Sequence, residues 1–480
     1  MAAAAAAAHV LVFPAPGQGH INCMMHFATG LVGAGLHVTF LHTDHSLRRL
    51  GGAAAAGGAD SPRLRFMSIP DGLPDDHPRA VGDIVELLES LRTNGSVPYR
   101  SLLASLVRAG DDGASSGGFP PVTCVVADGS MPFAADVAEE IGVPSLVFRT
   151  AARAAYWPTF DRLFELGEVV LFPADGDLDE PVRGVPGMES FLRRRDLPGN
   201  FRNCTEDQND PIVQMLIEVT AHSRGARAVV LNTARVHGGA SASRTSRRAM
   251  RDVFAIGPLP RPCSRLWRAD DGCVAWLDGQ AGPISRVREP RQLRRHLAGA
   301  VSRSSSTGSS PPATHSSGCS GRTWSGRVRA PAPSAKPSRR RRRTTRRASW
   351  GGRRSGTCLR HRAVGCFLTH AGWNSTLEAA GEGVPTVCWP FFADQQINSR
   401  FVGAVWGTGL DMKDVCDAAV VERMVREAME SGEIRASAQA LARRVRQDVA
   451  DGGSSAAEFE RLVGFIKELS NQHDGQFIQA

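Results

Sequence analysis

Short apolar runs alternate with segments of helical spacing along the first half of the chain. The runs cover residues 10–13, 38–41, 122–126, 145–148 and 229–231. Each has the length of a buried strand, because a helix would need at least about ten residues. Residues 22–34 and 85–109 instead space their apolar side chains as helices do. Strands and helices in alternation predict a parallel, doubly wound sheet.

The same alternation returns near residue 370, where it surrounds a group of polar side chains. Residues 367–369 predict the end of a buried strand, and Gly372 permits a tight turn with close approach of the backbone to a ligand. Asn374 and Ser375 then open a helix, whose first N–H groups have no partner within the helix and can hold phosphate oxygens. Glu378 follows about one helical turn later on the same side.

A second apolar run, residues 387–390, predicts the next strand. Asp394 and Gln395 come just beyond its carboxyl end, which is the edge where open α/β sheets bind ligands. A turn, a helix N-terminus and an acid–amide pair in this order are what a nucleotide-sugar site needs.

The ordered motifs HAGWNS, GVP, WP and ADQ within residues 367–396 resemble the signature box of plant family 1 UDP-glycosyltransferases. That family consists of inverting enzymes, and the resemblance implies an α/β fold of the GT-B type, with two Rossmann-like doubly wound domains facing across a cleft. It also implies UDP-glucose as a co-substrate, a small-molecule acceptor, no cofactor and no metal.

Carried over position by position, the resemblance assigns the donor contacts. His370, Asn374 and Ser375 would hold the diphosphate beside the turn at Gly372, and Glu378 would bind the ribose hydroxyls.

The sugar contacts implied by the resemblance lie on both halves of the chain. Trp373, Asp394 and Gln395 would hold the sugar, and Gln395 is typical of members that use glucose. Thr150 would also touch the sugar, although a helix N-cap is an equally good interpretation of that residue.

A candidate base follows the first strand, where the sequence PGQGHIN places His20 at the carboxyl edge of the sheet. Gly17 and Gly19 allow a tight turn there. Histidine is the natural base for an alcohol or phenol near neutral pH. On position alone, a polar turn residue without a role remains the alternative, but the family's catalytic histidine lies in the same context.

Asp128 follows the apolar run 122–126 and therefore ends at the same edge. A carboxylate there can bond one imidazole nitrogen, fix its tautomer and stabilise the imidazolium, although Asp-Gly is also a plain turn signal. Together with the resemblance, the pair of His20 and Asp128 implies a single displacement at the anomeric carbon. His20 would remove the acceptor proton, and UDP would leave with inversion.

We expect three parts in the chain. Residues 1–250 would form the acceptor-binding domain, residues 251–455 the UDP-sugar-binding domain, and residues 456–480 a helix that returns to the first domain. The run 253–259 would be the link between the domains. Loop-like stretches at 67–83 and 190–210 would contact the acceptor, for which nothing sharper than a small lipophilic hydroxyl compound is indicated.

The net charge of +9 comes from a single segment. Residues 281–362 hold 21 Arg and Lys and one acid, whereas the rest of the chain has 36 Arg and Lys against 47 acids. Residues 281–358 show no strand or helix period, so the donor-site strand that the family has here is expected to be missing. Nearly eighty structureless residues are unusual within a compact domain.

Shifted reading frames offer an explanation. With suitable wobble bases, residues 287–302 read one base over as YVSLGSSAVISLEQF, and residues 352–358 read as WAPQRDV. Both resemble family segments in the expected order, so we hypothesise that residues 281–358 are frame-shifted. As written, Gly352 and Ser355 occupy the positions of the Trp and Gln that bind uracil in the family.

Two alternatives follow from this segment. The protein is an impaired remnant of such an enzyme, or it is a nuclear or nucleic-acid-binding protein that uses the Arg-rich tract 339–347; we rank nucleic-acid binding last. Ten cysteines without a C-x-x-C pair indicate neither a zinc site nor a disulfide scaffold. No apolar run approaches the roughly twenty residues of a membrane span. We expect a cytoplasmic monomer.

Overall fold

The computed structural model describes residues 8–50, 61–79, 83–108, 118–150, 176–183, 185, 188–199, 211–237, 252–259, 271–279, 284–288, 347–350, 358–412 and 418–477. Within these parts, the chain forms one parallel sheet of seven strands and a second of five. The two sheets agree with the predicted pair of doubly wound domains.

The first sheet contains the five predicted strands and two more. Its strands are β1 (His9–Phe13), β2 (His37–Thr43), β3 (Leu64–Ile69), β4 (Cys124–Asp128), β5 (Ser145–Arg149), β6 (Val229–Leu231) and β7 (Val253–Ala255). They lie in the order β3-β2-β1-β4-β5-β6-β7. Since the chain builds outward from β1 and then resumes at β4 on the other side, a crevice opens at the carboxyl ends of these two strands.

Helices follow these strands and cover both faces of the sheet. They are α1 (Gln18–Gly33), α2 (Asp44–Leu50), α3 (Ile84–Ser90), α4 (Ser96–Arg108), α5 (Pro132–Ile141) and α6 (Pro211–Gly225), with a π-helical turn at Leu91–Gly95 between α3 and α4. Alternate residues of β1 enter two different cores. Val10 and Val12 pack against α1, whereas Leu11 and Phe13 pack on the opposite face.

The second sheet is formed by β8 (Ile284–Arg288), β9 (Arg347–Trp350), β10 (Val364–Thr369), β11 (Thr386–Cys388) and β12 (Gly409–Asp411) in the order β12-β11-β10-β8-β9. Its helices are α7 (Asp271–Asp278), α8 (Trp373–Glu382), α9 (Gln395–Arg400), α10 (Ala418–Glu430) and α11 (Gly432–Val449). A π-helical turn at Phe401–Val405 follows α9.

The expectation that residues 281–358 contain no strand is wrong. Ile284–Arg288 pairs in parallel with β10, and Arg347–Trp350 pairs with Ile284–Arg288 on its other side. The physical reason is that β10 is a central strand, whose backbone N–H and C=O groups need partners on both sides. This demand comes from the sheet and is not visible in the local composition of the segment.

The run 253–259, expected as a link between domains, also contains a strand. Val253–Ala255 pairs in parallel with β6 and closes the first sheet. A run of three strand residues carries too little periodicity to be distinguished from a linker by sequence.

The last helix, α12 (Ser454–Phe477), packs against the first sheet. Leu462, Val463, Ile466 and Leu469 join the same apolar core as β1 and α1. The hydroxyls of Ser470 and Thr123 are 2.8 Å apart. The C-terminal end of the chain is thereby tied to the N-terminal sheet.

Replacement of Ile466 by Ala should therefore destabilise the N-terminal domain. Ile466 is fully buried, and loss of its side chain should lower the free energy of unfolding by about 2 to 5 kcal/mol. The measurement is unfolding in denaturant, followed by circular dichroism. Lys467→Ala, on the exposed side of the same helix, is the control and should change the free energy of unfolding little. Equal effects of the two changes would contradict the packing described here.

Candidate active site

His20 and Asp128 meet at the carboxyl ends of β1 and β4. His20 lies in the first turn of α1, and Asp128 is the last residue of β4. The Nδ1 atom of His20 is 2.7 Å from Oδ2 of Asp128. The other carboxylate oxygen of Asp128 accepts the backbone N–H of Ser130 at 2.9 Å. The predicted pair is thus in hydrogen-bonding contact, and the aspartate is held from two sides.

Burial of the two side chains differs in a way that suits acid–base chemistry. The Asp128 side chain is 1% exposed, whereas the His20 side chain is 33% exposed. Because an ionised carboxylate can only accept, Nδ1 of His20 carries the proton of this hydrogen bond. The Nε2 atom is then the basic nitrogen, on a ring that remains accessible.

The charges around His20 raise the pKa of its imidazole. Burial alone would lower this pKa, but the negative charge and hydrogen bond of Asp128 outweigh burial and the opposing charge of Arg149. The charge of Asp394 acts in the same direction as that of Asp128. For Asp128, burial would raise the pKa of the carboxyl group, but the contacts with His20 and the backbone hold it below its usual value. The pair therefore favours an aspartate that stays ionised.

Thr150 lies directly after β5, beside the same histidine. Its Oγ1 atom is 3.1 Å from Nδ1 of His20. The residues after Thr150 lie outside the described part of the chain, so its interpretation as a helix N-cap is not tested. A hydroxyl at this distance adds a second polar contact to the nitrogen that faces Asp128.

The turn between β10 and α8 brings the signature box to the same crevice. Ala371 adopts a left-handed backbone conformation with φ of 59°, and Gly372 follows as the residue that caps α8. A Cβ atom at Gly372 would lie 2.4 Å from Nε2 of His370. The glycine is needed here because the histidine ring occupies the space that any side chain would fill.

Asn374 connects the two domains next to His20. Its side-chain Nδ2 donates to the backbone oxygen of Gly19 at 2.8 Å, and Gly19 directly precedes His20. The first turn of α8 therefore faces the start of α1. Ser375 is buried and Glu378 is half-buried on the same helix.

Asp394 and Gln395 are held in fixed positions beyond β11. Asp394 is 8% exposed and accepts from Nδ2 of Asn398 at 2.9 Å. The Oε1 atom of Gln395 accepts the backbone N–H groups of Phe391 and Phe392 at 2.9 and 3.3 Å. The amide oxygen of Gln395 is thus committed to the loop, and its NH₂ group is the end left for a ligand.

Trp373 differs from the other residues of the signature box because its side chain faces the N-terminal domain. Its side chain is buried, with 5% of the residue exposed, and its indole N–H donates to the backbone oxygen of Asn232 at 2.7 Å. Asn232 comes directly after β6, and the sequence analysis did not single it out. A polar residue at the carboxyl end of an apolar strand is the signal that identified Asp128, and it would have identified Asn232 as well.

Gly352 and Ser355, which occupy the positions of the family's uracil-binding Trp and Gln, lie outside the described residues, as do residues 339–346 of the Arg-rich tract. Within the described residues, no group of three or more His, Cys, Asp or Glu side chains could hold a metal ion. Nor does any helix in those parts combine the length and apolar character that crossing a membrane requires.

Comparison with known proteins identifies the family. The family model for UDP-glucoronosyl and UDP-glucosyl transferases matches residues 341–433. The chain is 37% identical to 7-deoxyloganetic acid glucosyltransferase of Catharanthus roseus, over 96% of this chain and 98% of that protein. It is 36% identical to myricetin 3-O-rhamnoside 1,2-glucosyltransferase of Crocosmia x crocosmiiflora, over 96% of both chains. The chain belongs to the plant UDP-glycosyltransferase family.

The solved structures agree on the fold. A UDP-glucose: anthocyanidin 3-O-glucosyltransferase in complex with UDP matches with a TM-score of 0.74 at 20% identity, covering 97% of this chain and 100% of that one. The two parallel sheets are accordingly the two Rossmann-like domains of a GT-B fold. By family, this UDP-glycosyltransferase is a transferase enzyme.

Gly372→Ala should weaken the binding of UDP, because the new Cβ atom must displace His370. We expect the Kd for UDP, measured by calorimetry, to rise at least about tenfold, which corresponds to about 1.4 kcal/mol. Gly381→Ala is the matched control in the same helix, since a Cβ atom there meets no atom within 4 Å. The control should bind UDP normally and be slightly more stable, because Ala favours helix. Unchanged affinity in the first variant would contradict the placement of His370.

Proposed function

We propose that this UDP-glycosyltransferase transfers glucose from UDP-glucose to a hydroxyl group of a small lipophilic acceptor, with inversion at the anomeric carbon. The observation that carries the proposal is the 2.7 Å contact between His20 and Asp128, on the side of the crevice that faces the signature box. A buried carboxylate bonded to a partly exposed imidazole is the arrangement of a general base with its partner.

In the proposed mechanism, Nε2 of His20 accepts the proton of the acceptor hydroxyl as its oxygen attacks the anomeric carbon. Asp128 holds the imidazole in the required tautomer and stabilises the imidazolium that forms. The bond from the anomeric carbon to the diphosphate oxygen breaks as the new bond forms. A single displacement of this kind inverts the configuration at that carbon.

The leaving diphosphate gains negative charge, for which the start of α8 is suited. The free N–H groups of a helix N-terminus and its dipole stabilise an anion. Asn374 and Ser375 lie in this first turn, and His370 precedes it. We assign the diphosphate to these three residues and the ribose hydroxyls to Glu378.

For the sugar we propose Asp394, Gln395 and the backbone near Trp373 as contacts, with Thr150 on the opposite side. Asp394 is close enough for its charge to raise the pKa of His20, which supports a sugar position beside the base. The preference for glucose rests on Gln395 and on the related glucosyltransferases. The names of these relatives support small plant metabolites as the class of acceptor.

We favour an active enzyme over an impaired remnant. The remnant hypothesis depends on Gly352 and Ser355, which lie outside the described residues, whereas the catalytic pair is intact within them. Action as a monomer in the cytoplasm belongs to the same proposal.

The test is turnover of UDP-glucose with a panel of small phenols and alcohols, with the anomeric configuration of the product read by NMR. A β-glucoside product from the α-linked donor supports the proposal. Retention of configuration, or the absence of transfer with every acceptor by a folded protein that binds UDP, would overturn it.

His20→Ala should lower kcat by about 10² to 10⁴-fold, because the general base is lost. The chain offers a matched control in a second His–Asp pair of the same domain. His222 on α6 lies 3.0 Å from Asp136 on α5, where the carboxylate is 59% exposed. His222→Ala should keep the activity of the parent protein. Equal losses in the two variants would show that removal of a histidine harms the fold rather than the chemistry.

The pH dependence should reflect the raised pKa of His20. The base acts in its neutral form, so kcat/KM should fall as the pH drops through this pKa, which lies above the ordinary value of 6.5. In Asp128→Asn, burial and the charge of Arg149 should prevail, and the acid limb should move to lower pH along with a loss of rate. An acid limb that stays in place in Asp128→Asn would show that another group controls it.

A further inference from the structure

Asn232 connects three parts of the molecule through hydrogen bonds from different atoms. Its backbone oxygen accepts the indole N–H of Trp373 at 2.7 Å. Its side-chain Nδ2 donates to Sγ of Cys23 at 3.0 Å, and its Oδ1 accepts the backbone N–H of Leu259 at 3.3 Å. The residue is 6% exposed. Every polar group of this side chain is therefore used in contacts with distant segments.

Two of these contacts lead directly to the site. Cys23 lies on α1, one helical turn after His20, and Trp373 is the first residue of α8. The next residue of α8, Asn374, donates to the oxygen of Gly19, immediately before His20. The first two residues of the donor helix thus reach the N-terminal domain on both sides of the catalytic base.

The surroundings of Trp373 leave its ring little freedom. The ring packs edge-on against His237, with centroids 5.6 Å apart, and lies 6.4 Å from the ring of Trp406. Burial lowers the pKa of His237 to about 3, so this histidine is neutral and packs as an uncharged ring. In an apolar cluster of this kind, the hydrogen bond to Asn232 decides which way the indole points.

This orientation has a consequence for the role of Trp373. Its indole N–H is committed to Asn232, so the side chain has no donor left for a sugar hydroxyl. Only the backbone of Trp373 can therefore form a hydrogen bond with the UDP-sugar. Its side chain must therefore act on the reaction through geometry, not through contact with the sugar.

We propose that Asn232 and Trp373 are positioning residues, whose buried hydrogen bond sets the distance between His20 on α1 and the donor helix α8. The inference deepens the proposed function and rests on it. Transfer requires the acceptor oxygen, held at His20, and the anomeric carbon, held at α8, to come within about 3 to 3.5 Å. The hydrogen bond between Trp373 and Asn232 fixes the position of α8 relative to α1, and it therefore acts on this distance in the transition state.

The decisive variant is Trp373→Phe, which keeps an aromatic ring and removes the N–H donor. We expect kcat to fall at least tenfold, while the Kd for UDP-glucose, measured by calorimetry, changes less than threefold. The acid limb of the pH profile should stay in place, because the pair of His20 and Asp128 is untouched. Trp406→Phe is the matched control, since Trp406 belongs to the same aromatic cluster, and it should keep kcat within threefold.

A second variant tests the connection through Asn232. Cys23→Ala removes the acceptor on α1, and it should lower kcat in the same direction as Trp373→Phe. If both act through Asn232, the double variant should lose less than the product of the two single losses. Multiplicative losses would show that Cys23 and Trp373 act independently. That outcome would overturn the proposed connection from Trp373 through Asn232 to Cys23.

The same variants distinguish the inference from the proposed function. If the parent protein transfers no glucose, the proposed function fails. Hydrogen exchange still tests whether the bond between Trp373 and Asn232 holds α1 in place. Exchange at residues 19–23 of α1 should accelerate in Trp373→Phe and not in Trp406→Phe. The inference would be overturned by unchanged exchange in Trp373→Phe. It would also be overturned by an equal loss of kcat in Trp373→Phe and Trp406→Phe, or by a Trp373→Phe variant that loses affinity for UDP-glucose with unchanged kcat.

Discussion

The parallel pairing of β1 with β4 is the constraint on which the rest of the site depends. Phe13 lies opposite Ala127 in this register, so both strands end at the same level, and the segments that follow them meet in the crevice. His20 and Asp128 are far apart in sequence, yet this one pairing brings them to 2.7 Å. The hydrogen bond between them then determines the tautomer and raises the pKa of the imidazole.

The second domain applies the same rule to a different chemistry. The order of its sheet reverses beside β10, and α8 begins directly beyond the carboxyl end of that strand. One domain therefore presents the pair of His20 and Asp128, which we propose as the base and its partner, and the other a helix N-terminus suited to an anion. Contacts between the domains complete the site, through Asn374 with Gly19 and Trp373 with Asn232. Helix α12 returns to the first sheet, where its apolar side chains join the core formed by β1 and α1.

The predictions from sequence succeeded where a physical signal is local. Apolar runs bounded by polar turns identified β1, β2, β4, β5 and β6, because a buried parallel strand must be apolar on both faces. They failed at β8 and β9, where the segments carry many arginines and serines. β8 pairs with β10 and β9 pairs with β8, so the hydrogen-bonding requirement that each strand meets arises in the neighbouring strand. Asn232 follows an apolar strand as Asp128 does, but its bond to Trp373 uses a backbone oxygen, and a backbone acceptor leaves no trace in the residue type.

By itself, the sequence determined the alternation of strands and helices, the two doubly wound sheets and the polar residues at the strand ends. These features follow from side-chain polarity, chain stiffness and the few connections that parallel strands allow. Only the tertiary structure decided which polar residues share a hydrogen bond and which way each side chain points. Trp373 shows the difference, since its place in the signature box was evident, but the direction of its indole depends on the hydrogen bond to Asn232 in the other domain. Contacts between residues so distant in the chain form only when both domains have folded and docked.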